Sequence, residues 1–99
     1  MWYILEGRYG SDIDAKRAAA RPAHLARLES LMEEGRLLAA GPIPAIDAED
    51  PGPAGFLGSL IVAEFADQAS AEAWLAQDPY QEQGVYSELS VRPFRKVLP

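Results

Sequence analysis

The spacing of hydrophobic and polar residues changes along the chain, and these changes predict where strands and helices lie. Aromatic and branched residues crowd Trp2–Tyr9, which is typical of a strand, and a Gly-Ser-Asp turn follows it. Helical spacing then runs over Ile13–Glu34, interrupted by Pro22. Because proline is tolerated at the first position of a helix but not inside one, we expect a short leading turn near Ile13–Ala20 and a main helix that begins at Pro22.

The rest of the chain predicts three more strands and a second helix. The predicted segments are a strand over Arg36–Ile43, a loop over Pro44–Gly58, a strand over Ser59–Phe65, a helix from the N-cap Asp67 through Gln77, a loop or single turn over Pro79–Gly84, and a last strand over Tyr86–Val97. The order β-α-β-β-α-β is that of a ferredoxin-like α+β fold, a four-stranded antiparallel sheet with both helices on one face. We expect residues 1–99 to form a single domain.

Both faces of the central strands are apolar, although helices can cover only one face. In the first strand Trp2 and Ile4 alternate with Tyr3 and Leu5, and the third strand has the same two-sided pattern. A bare apolar sheet would be an unusually large exposed patch for a monomer. We therefore expect a homodimer in which two copies pack sheet to sheet through the open face.

Composition excludes several classes of function. The chain has 9 Lys and Arg residues against 15 Asp and Glu, a net charge of -6, so phosphate backbones repel it and nucleic acid is not an expected partner. Cysteine is absent, which excludes thiolate zinc sites, thiol nucleophiles and disulfides. No apolar run reaches the ~20 residues of a membrane helix, and no signal-peptide pattern is present. We expect a cytoplasmic protein with no metal site and no membrane partner.

The only histidine of the chain occupies a position that favours burial. At 100° per residue, His24 lies between Leu28 at about 40° and Leu31 at about -20°, within the apolar stripe of its helix. The apolar stripe of the second helix ends in a carboxylate, Asp78. The ferredoxin-like topology brings the start of the first helix and the end of the second helix to the same end of the fold. We therefore expect His24 and Asp78 to be neighbours.

A histidine beside an aspartate has a definite chemistry. An aspartate that accepts a hydrogen bond from one imidazole nitrogen fixes the tautomer and strengthens the base at the other nitrogen. His24 and Asp78 would then be a general acid–base unit, with Arg21, Ser59 and Tyr80 orienting a polar or anionic substrate. The residues alone leave a second interpretation open, in which His24 is a core histidine with satisfied hydrogen bonds and Asp78 merely ends its helix.

Several short motifs resemble the YciI-like family over essentially the whole chain. They are Arg21-Pro22-Ala23-His24-Leu25, Gly35-Arg36-Leu37, Ala40-Gly41-Pro42, Gly58-Ser59-Leu60, Asp78-Pro79-Tyr80 and Arg92-Pro93-Phe94. The histidine-containing helix start and the Asp-Pro-Tyr step are the most specific of these motifs. The resemblance implies a dimeric α+β barrel and an active site with a His–Asp pair, which corresponds to His24 and Asp78.

The resemblance also implies a type of chemistry, although most family members have no assigned reaction. Those that have one are similar to enzymes of proton transfer and elimination on small cyclic or hydroxyaromatic compounds. We therefore expect a small cofactor-free enzyme of the lyase or isomerase type, in which Gly41, Pro42, Ser59 and Tyr80 shape the pocket for a small-molecule ligand. The alternative is a non-catalytic dimeric module that binds a metabolite or serves as an accessory subunit.

Overall fold

Four strands pair into one antiparallel sheet in the computed structural model, which describes residues 1–99. In chain order the elements are β1 Trp2–Tyr9, α1 Asp14–Glu33, β2 Leu37–Pro44, β3 Phe56–Glu64, α2 Gln68–Ala76, α3 Pro79–Glu82 and β4 Tyr86–Phe94, with a 3-10 turn at Gly52–Ala54 before β3. The strand order in the sheet is β2-β3-β1-β4. The ferredoxin-like α+β fold predicted from the sequence is confirmed, with α3 as an additional helical turn. None of the helices combines the length and the apolar character needed to cross a membrane.

The two faces of the sheet differ in burial because the helices cover only one of them. The residues on the helix side of the two central strands are at most 4% exposed: Tyr3, Leu5, Ile61 and Ala63. On the opposite face Ile4 and Val62 are half-buried, and Leu60 is 38% exposed. In the single chain the sheet therefore leaves uncovered a face on which these apolar residues alternate with the Glu6–Arg92 ion pair, so the predicted two-sided apolar pattern holds only in part.

α1 runs without interruption past Pro22, so the predicted break into a leading turn and a main helix is wrong. Proline at this position lacks the N–H that would bond to the carbonyl of Ala18. Both residues are exposed, so water can satisfy that carbonyl on the outer side of the helix. The buried residues of the inner side lie before and after the proline and hold the two halves in line: Ala20, His24, Leu28 and Leu31.

Two strand ends differ from the prediction because pairing decides where a strand begins and ends. β3 begins at Phe56, not at Ser59, since its pairing with β2 already starts at Phe56. β4 ends at Phe94, not at Val97, since Phe94 pairs with Trp2, the first residue of β1. Beyond that pair β4 has no neighbouring strand to bond with.

Candidate active site

His24 lies in the middle of α1 with its side chain buried. The residue is 5% exposed, whereas Ala23 and Ala26 on the same helix are exposed. Its Nδ1 atom is 2.8 Å from Oδ1 and 2.9 Å from Oδ2 of Asp78, which are hydrogen-bond distances. The structure thus places in contact the two residues that the predicted topology brings to one end of the fold.

Asp78 is fully buried and does not belong to α2, which ends at Ala76. It is the N-cap of α3, and its Oδ1 atom accepts a hydrogen bond from the backbone N–H of Tyr80 at 2.9 Å. Asp78 is buried together with Ala71 and Leu75, as the predicted stripe requires, although α2 ends at Ala76, one residue before the predicted Gln77. Pro79 is the first residue of α3, a position that proline favours. One carboxylate thus starts a helical turn and also holds His24.

Tyr80 fixes the plane of the imidazole. Its ring stacks on the ring of His24, with 3.9 Å between the ring centroids and 8° between the planes. Together with the hydrogen bond at Nδ1, this stacking holds the imidazole in one orientation. Burial raises the pKa of the Tyr80 phenol, and the positive charges of Arg17 and Arg21 oppose that rise.

Arg27 is the second side chain that approaches the carboxylate of Asp78. Its Nη1 atom is 3.8 Å from Asp78 Oδ2, and its Nη2 atom donates a hydrogen bond to the carbonyl of Trp74 at 2.9 Å. The guanidinium also lies over the Trp74 ring, 4.2 Å from its centroid. Burial lowers the pKa of Arg27, and the charge of Asp78 opposes that shift. Arg27 therefore places a positive charge next to the carboxylate that holds His24.

A cavity of about 130 Å³ opens beside His24. It is lined by Tyr9, Arg17, Arg21, His24, Leu25, Leu28, Ala40, Gly41, Pro42, Ser59 and Tyr80. Among the residues predicted for the site, only Asp78 does not line the cavity, because it lies behind His24. The others, which are Arg21, Gly41, Pro42, Ser59 and Tyr80, are brought together around the imidazole.

Two polar residues of the lining, Tyr9 and Arg17, are not among the site residues predicted from the sequence, and neither are the apolar Leu25, Leu28 and Ala40. Arg17 Nε donates a hydrogen bond to the Tyr9 hydroxyl at 3.2 Å, and this hydroxyl is 2.9 Å from Ser59 Oγ. Arg17, Arg21 and His24 follow i, i+4, i+7 spacing, which places them on one face of a continuous helix. That signal was hidden by the expected break at Pro22, which assigned Arg17 to a separate turn.

Tyr86 is a further residue near the site that the sequence did not single out. It is 6% exposed, stacks on Tyr9 with 6.0 Å between the ring centroids, and its hydroxyl has no hydrogen-bond partner in the chain. Burial raises the pKa of the Tyr86 phenol, and the nearby hydroxyl of Ser59 opposes this rise. The Ser59 hydroxyl is itself hydrogen-bonded to Tyr9. The ring lies over Gly7, where any side chain would collide with it.

A larger depression, of about 330 Å³, lies on the sheet around the paired residues Glu6 and Ser90. Its charged lining residues include Arg8 and Glu88, which form an exposed ion pair at 3.8 Å. It contains no imidazole and no buried charged group. The chemistry of the molecule is therefore concentrated in the smaller cavity beside His24.

The buried pair defines what the cavity can do chemically. An ionised carboxylate only accepts hydrogen bonds, so we assign the proton of the neutral imidazole to Nδ1. The Nε2 atom makes no hydrogen bond within the chain, and its lone pair is then free. The arrangement is that of an oriented general base at the wall of a small cavity.

Known proteins resemble this chain in both sequence and structure. It is 53% identical over 98 residues to Protein YciI of Escherichia coli O6:H1, across 99% of this chain and 100% of that protein. It is 50% identical over 98 residues to an uncharacterized protein of Haemophilus influenzae, with the same coverage.

Among solved structures, 5-chloro-2-hydroxyhydroquinone dehydrochlorinase (TftG) from Burkholderia phenoliruptrix, in complex with 2,5-dihydroxybenzoquinone, has a similar fold. The TM-score is 0.81 at 19% sequence identity, over 96% of this chain and 94% of that one. A sequence model of the YCII-related domain matches residues 1–95. On this match and on the two full-length relatives, the chain belongs to the YCII-related family.

Proposed function

We propose that the protein is a small enzyme of the lyase or isomerase type, in which His24 transfers a proton and Asp78 orients its imidazole. The observation that carries this proposal is the buried contact of His24 Nδ1 with Asp78, which leaves Nε2 unpartnered beside the cavity. In the first step Nε2 accepts a proton from the substrate. In a later step the same atom returns it, so one imidazole serves as base and then as acid.

Asp78 and Arg27 would support this cycle electrostatically. When Nε2 accepts a proton the imidazole becomes a cation, and the adjacent carboxylate stabilises that cation in a site from which water is largely excluded. Arg27, whose Nη1 atom is 3.8 Å from Asp78 Oδ2, adds a positive charge on the other side of that carboxylate. A proton returned to a different atom gives an isomerisation, and loss of a leaving group from the neighbouring atom gives an elimination. Neither step needs a redox cofactor.

The expected substrate is a small cyclic or hydroxyaromatic compound. The cavity of about 130 Å³ has the dimensions of one ring, and Gly41, Pro42 and Ser59 form part of its wall. The structural neighbour is a dehydrochlorinase whose substrate is a chlorinated hydroxyhydroquinone. Loss of hydrogen chloride from such a ring is an elimination, which is the class of reaction that an oriented imidazole base serves.

We further propose that the protein works as a homodimer built through the open face of the sheet. Ile4, Leu60 and Val62 on that face are apolar and incompletely buried in the single chain. A second copy would remove them from water, and burial of apolar area is the main driving force of stable self-association.

A substrate screen with matched variants tests the catalytic proposal. The screen uses small ring compounds with an acidic C–H bond or a leaving group, and follows proton exchange or release of the leaving group. We expect His24→Gln and Asp78→Asn to lower the rate by about 10²–10⁴-fold, the usual contribution of a general base. Asp47→Asn, an exposed carboxylate-to-amide change in the loop before β3, should leave the rate unchanged. Turnover that persists in His24→Gln contradicts the role proposed for His24, and a wild type that binds the ring compounds without turning any of them over favours the metabolite-binding alternative.

A further inference from the structure

The cavity beside His24 is lined by cations and by no acidic residue, although the chain as a whole is acidic. Arg17 and Arg21 are its two charged lining residues. Neither of them forms a salt bridge in the structure. In a chain with 15 Asp and Glu residues against 9 Lys and Arg, carboxylates are plentiful. Because this cavity has two arginines and no carboxylate in its lining, its local charge is positive although the net charge of the chain is negative.

The two guanidinium groups act on the same place. On the continuous helix α1, Arg17 and Arg21 lie at about 20° and about 60° from His24 around the helix axis. Like charges four residues apart on a helix repel, and an anion bound between them removes that repulsion. Both side chains line the same cavity as Tyr80, and their charges oppose the rise that burial causes in the pKa of Tyr80. The two guanidiniums can therefore reach one ligand in this cavity.

Arg17 is already held in position. Its guanidinium lies over the rings of Tyr9 and Phe56, 5.3 Å and 5.1 Å from their centroids. Its Nε atom donates to the Tyr9 hydroxyl, which is paired in turn with Ser59. Holding a side chain before the ligand arrives reduces the entropy lost on binding. Arg21 is exposed and forms no hydrogen bond or salt bridge, so its guanidinium is free to close on an anion.

The remaining wall of the cavity sets the body of the ligand. Leu25, Leu28, Ala40 and Pro42 are apolar, and they favour a hydrocarbon over a fully polar ion such as phosphate. The volume of about 130 Å³ is close to that of an engineered apolar cavity of about 150 Å³ in another protein, which binds benzene. The cavity therefore suits a ligand with one anionic group on a body of about one six-membered ring.

We infer that this cavity binds a small organic monocarboxylate, held at its anionic end by Arg17 and Arg21 and with its apolar body against Leu25 and Leu28. Arginine is suited to this role because its planar fork matches the two oxygens of a carboxylate. The inference rests on the proposed function, because it names the substrate class of the site that His24 serves. On this inference, the proton that His24 removes belongs to the same molecule whose carboxylate the two arginines bind.

Binding of simple carboxylates to the whole protein tests this inference. Amide NMR spectra are recorded during titration with benzoate or crotonate at millimolar concentrations. The neutral isosteres benzamide and crotonamide, and sodium chloride at equal ionic strength, serve as ligand controls. We expect saturable shifts of Gly41, Ser59 and Tyr80 with the carboxylates, and binding at least about 10-fold weaker for the amides, since a lost charged contact is worth that much or more.

Variants of the arginines assign the binding to the two guanidiniums. We expect Arg21→Gln to weaken benzoate binding at least about 10-fold, and Arg21→Lys to restore part of it because the charge remains. Arg21 has no partner in the chain, so its loss should not disturb the fold. Arg95→Gln removes the same charge from an exposed position outside the cavity and should bind benzoate like the wild type.

Several results would overturn the inference. The first is that the amides bind as tightly as the carboxylates, and the second is that sodium chloride alone gives the same NMR shifts. The third is that neither carboxylate gives a saturable shift. The fourth is that Arg21→Gln binds benzoate as tightly as Arg95→Gln does. Failure of the proposed function looks different. Benzoate would still bind to the wild type and to Arg95→Gln, while His24→Gln would show no loss of turnover in the substrate screen.

Discussion

A single carboxylate, Asp78, has two structural tasks that one substitution can separate. It caps α3 through the N–H of Tyr80, and it holds the imidazole of His24. In Asp78→Asn the side-chain oxygen can still accept from Tyr80, but the amide N–H₂ can only donate. If the oxygen that caps the helix keeps the place of Oδ1, the amide nitrogen replaces Oδ2, 2.9 Å from Nδ1, and its N–H₂ group repels a proton on Nδ1. That repulsion favours the tautomer with the proton on Nε2, although the capping oxygen is still 2.8 Å from Nδ1.

We therefore expect Asp78→Asn to invert the tautomer of His24 with little loss of folding. Nitrogen NMR of the imidazole, which is unambiguous because the chain has one histidine, should show the proton on Nδ1 in the wild type and on Nε2 in the variant. Asp78→Ala, which removes cap and acceptor together, should lower the free energy of unfolding by about 1–3 kcal/mol for each buried group left unpaired.

A wild type that carries its imidazole proton on Nε2 would contradict the assigned hydrogen bond. Asp47→Asn serves as a control for the carboxylate-to-amide change itself, since Asp47 is exposed and distant in sequence from the pair.

Tyr86 gives a prediction about alkaline stability. Its pKa is raised by burial in the folded protein, so the stability it contributes is complete below the unfolded value of about 10 and is lost as the pH rises through the folded value. Tyr86→Phe should remove this loss. Between about pH 9 and about pH 11 the wild type should lose stability relative to the variant, by at most about 1.4 kcal/mol per pH unit for one proton.

Urea denaturation of both proteins measures this difference. At neutral pH the variant should be as stable as the wild type or about 1 kcal/mol more stable, because it removes a buried hydroxyl that has no partner in the chain. A variant that is less stable at neutral pH would show that the hydroxyl has a favourable partner.

The residues of the candidate site could be predicted only in part. His24 and Asp78 could be singled out because a polar residue within an apolar stripe is visible in one sequence. Tyr9 and Tyr86 could not, because an aromatic residue in a strand is equally typical of a core. Their place beside Ser59 depends on which strands are neighbours and on the register between them.

At the scale of elements, the interruption that the sequence suggests in α1 does not occur. Pro22 does remove one hydrogen bond of the helix, but that bond lies on the exposed side of α1. The buried side of α1 packs on the core both before and after Pro22 and keeps the helix continuous. Capping was a more dependable guide, because its partners are local. Asp67 caps α2 as predicted, and its side chain accepts from the N–H of Ser70 at 2.8 Å.

We expect Pro22→Ala to stabilise the protein by about 2 kcal/mol. Alanine restores the N–H that can bond to Ala18, which favours the helix by up to about 3 kcal/mol, and the greater freedom of the unfolded chain offsets about 1 kcal/mol of this gain. Ala23→Gly, on the same exposed surface of α1, should instead destabilise by about 1 kcal/mol. Thermal unfolding of the three proteins measures both effects, and a Pro22→Ala variant no more stable than the wild type would show that α1 needs the proline for its packing.

For the whole molecule, the element order was sufficient to predict the fold. Burial on one side of each strand sets the register and therefore the core. Strand ends were predicted less well, because they depend on the length of a neighbouring strand. The proposed homodimer depends on the opposite face, which the helices leave uncovered.

Sedimentation provides the test of the homodimer. We expect the wild type to have twice the mass of the 10.8 kDa chain. Leu60→Glu should shift the equilibrium to the monomer, because it places a carboxylate at the centre of the open face beside Glu6, its cross-strand neighbour. Ala26→Glu adds the same charge on the exposed side of α1 and should leave the mass unchanged. A wild type that sediments at the mass of one chain would contradict the proposal.

The outer edge of the sheet has a consequence for how larger assemblies can grow. β2 is an edge strand, and it contains Pro42 and Pro44. Proline offers no N–H to an approaching strand, so a second sheet cannot continue the ladder along this edge. Edge-to-edge pairing of sheets is therefore disfavoured at β2. Pro42 thus serves both as part of the cavity wall and as a residue that weakens pairing along this edge.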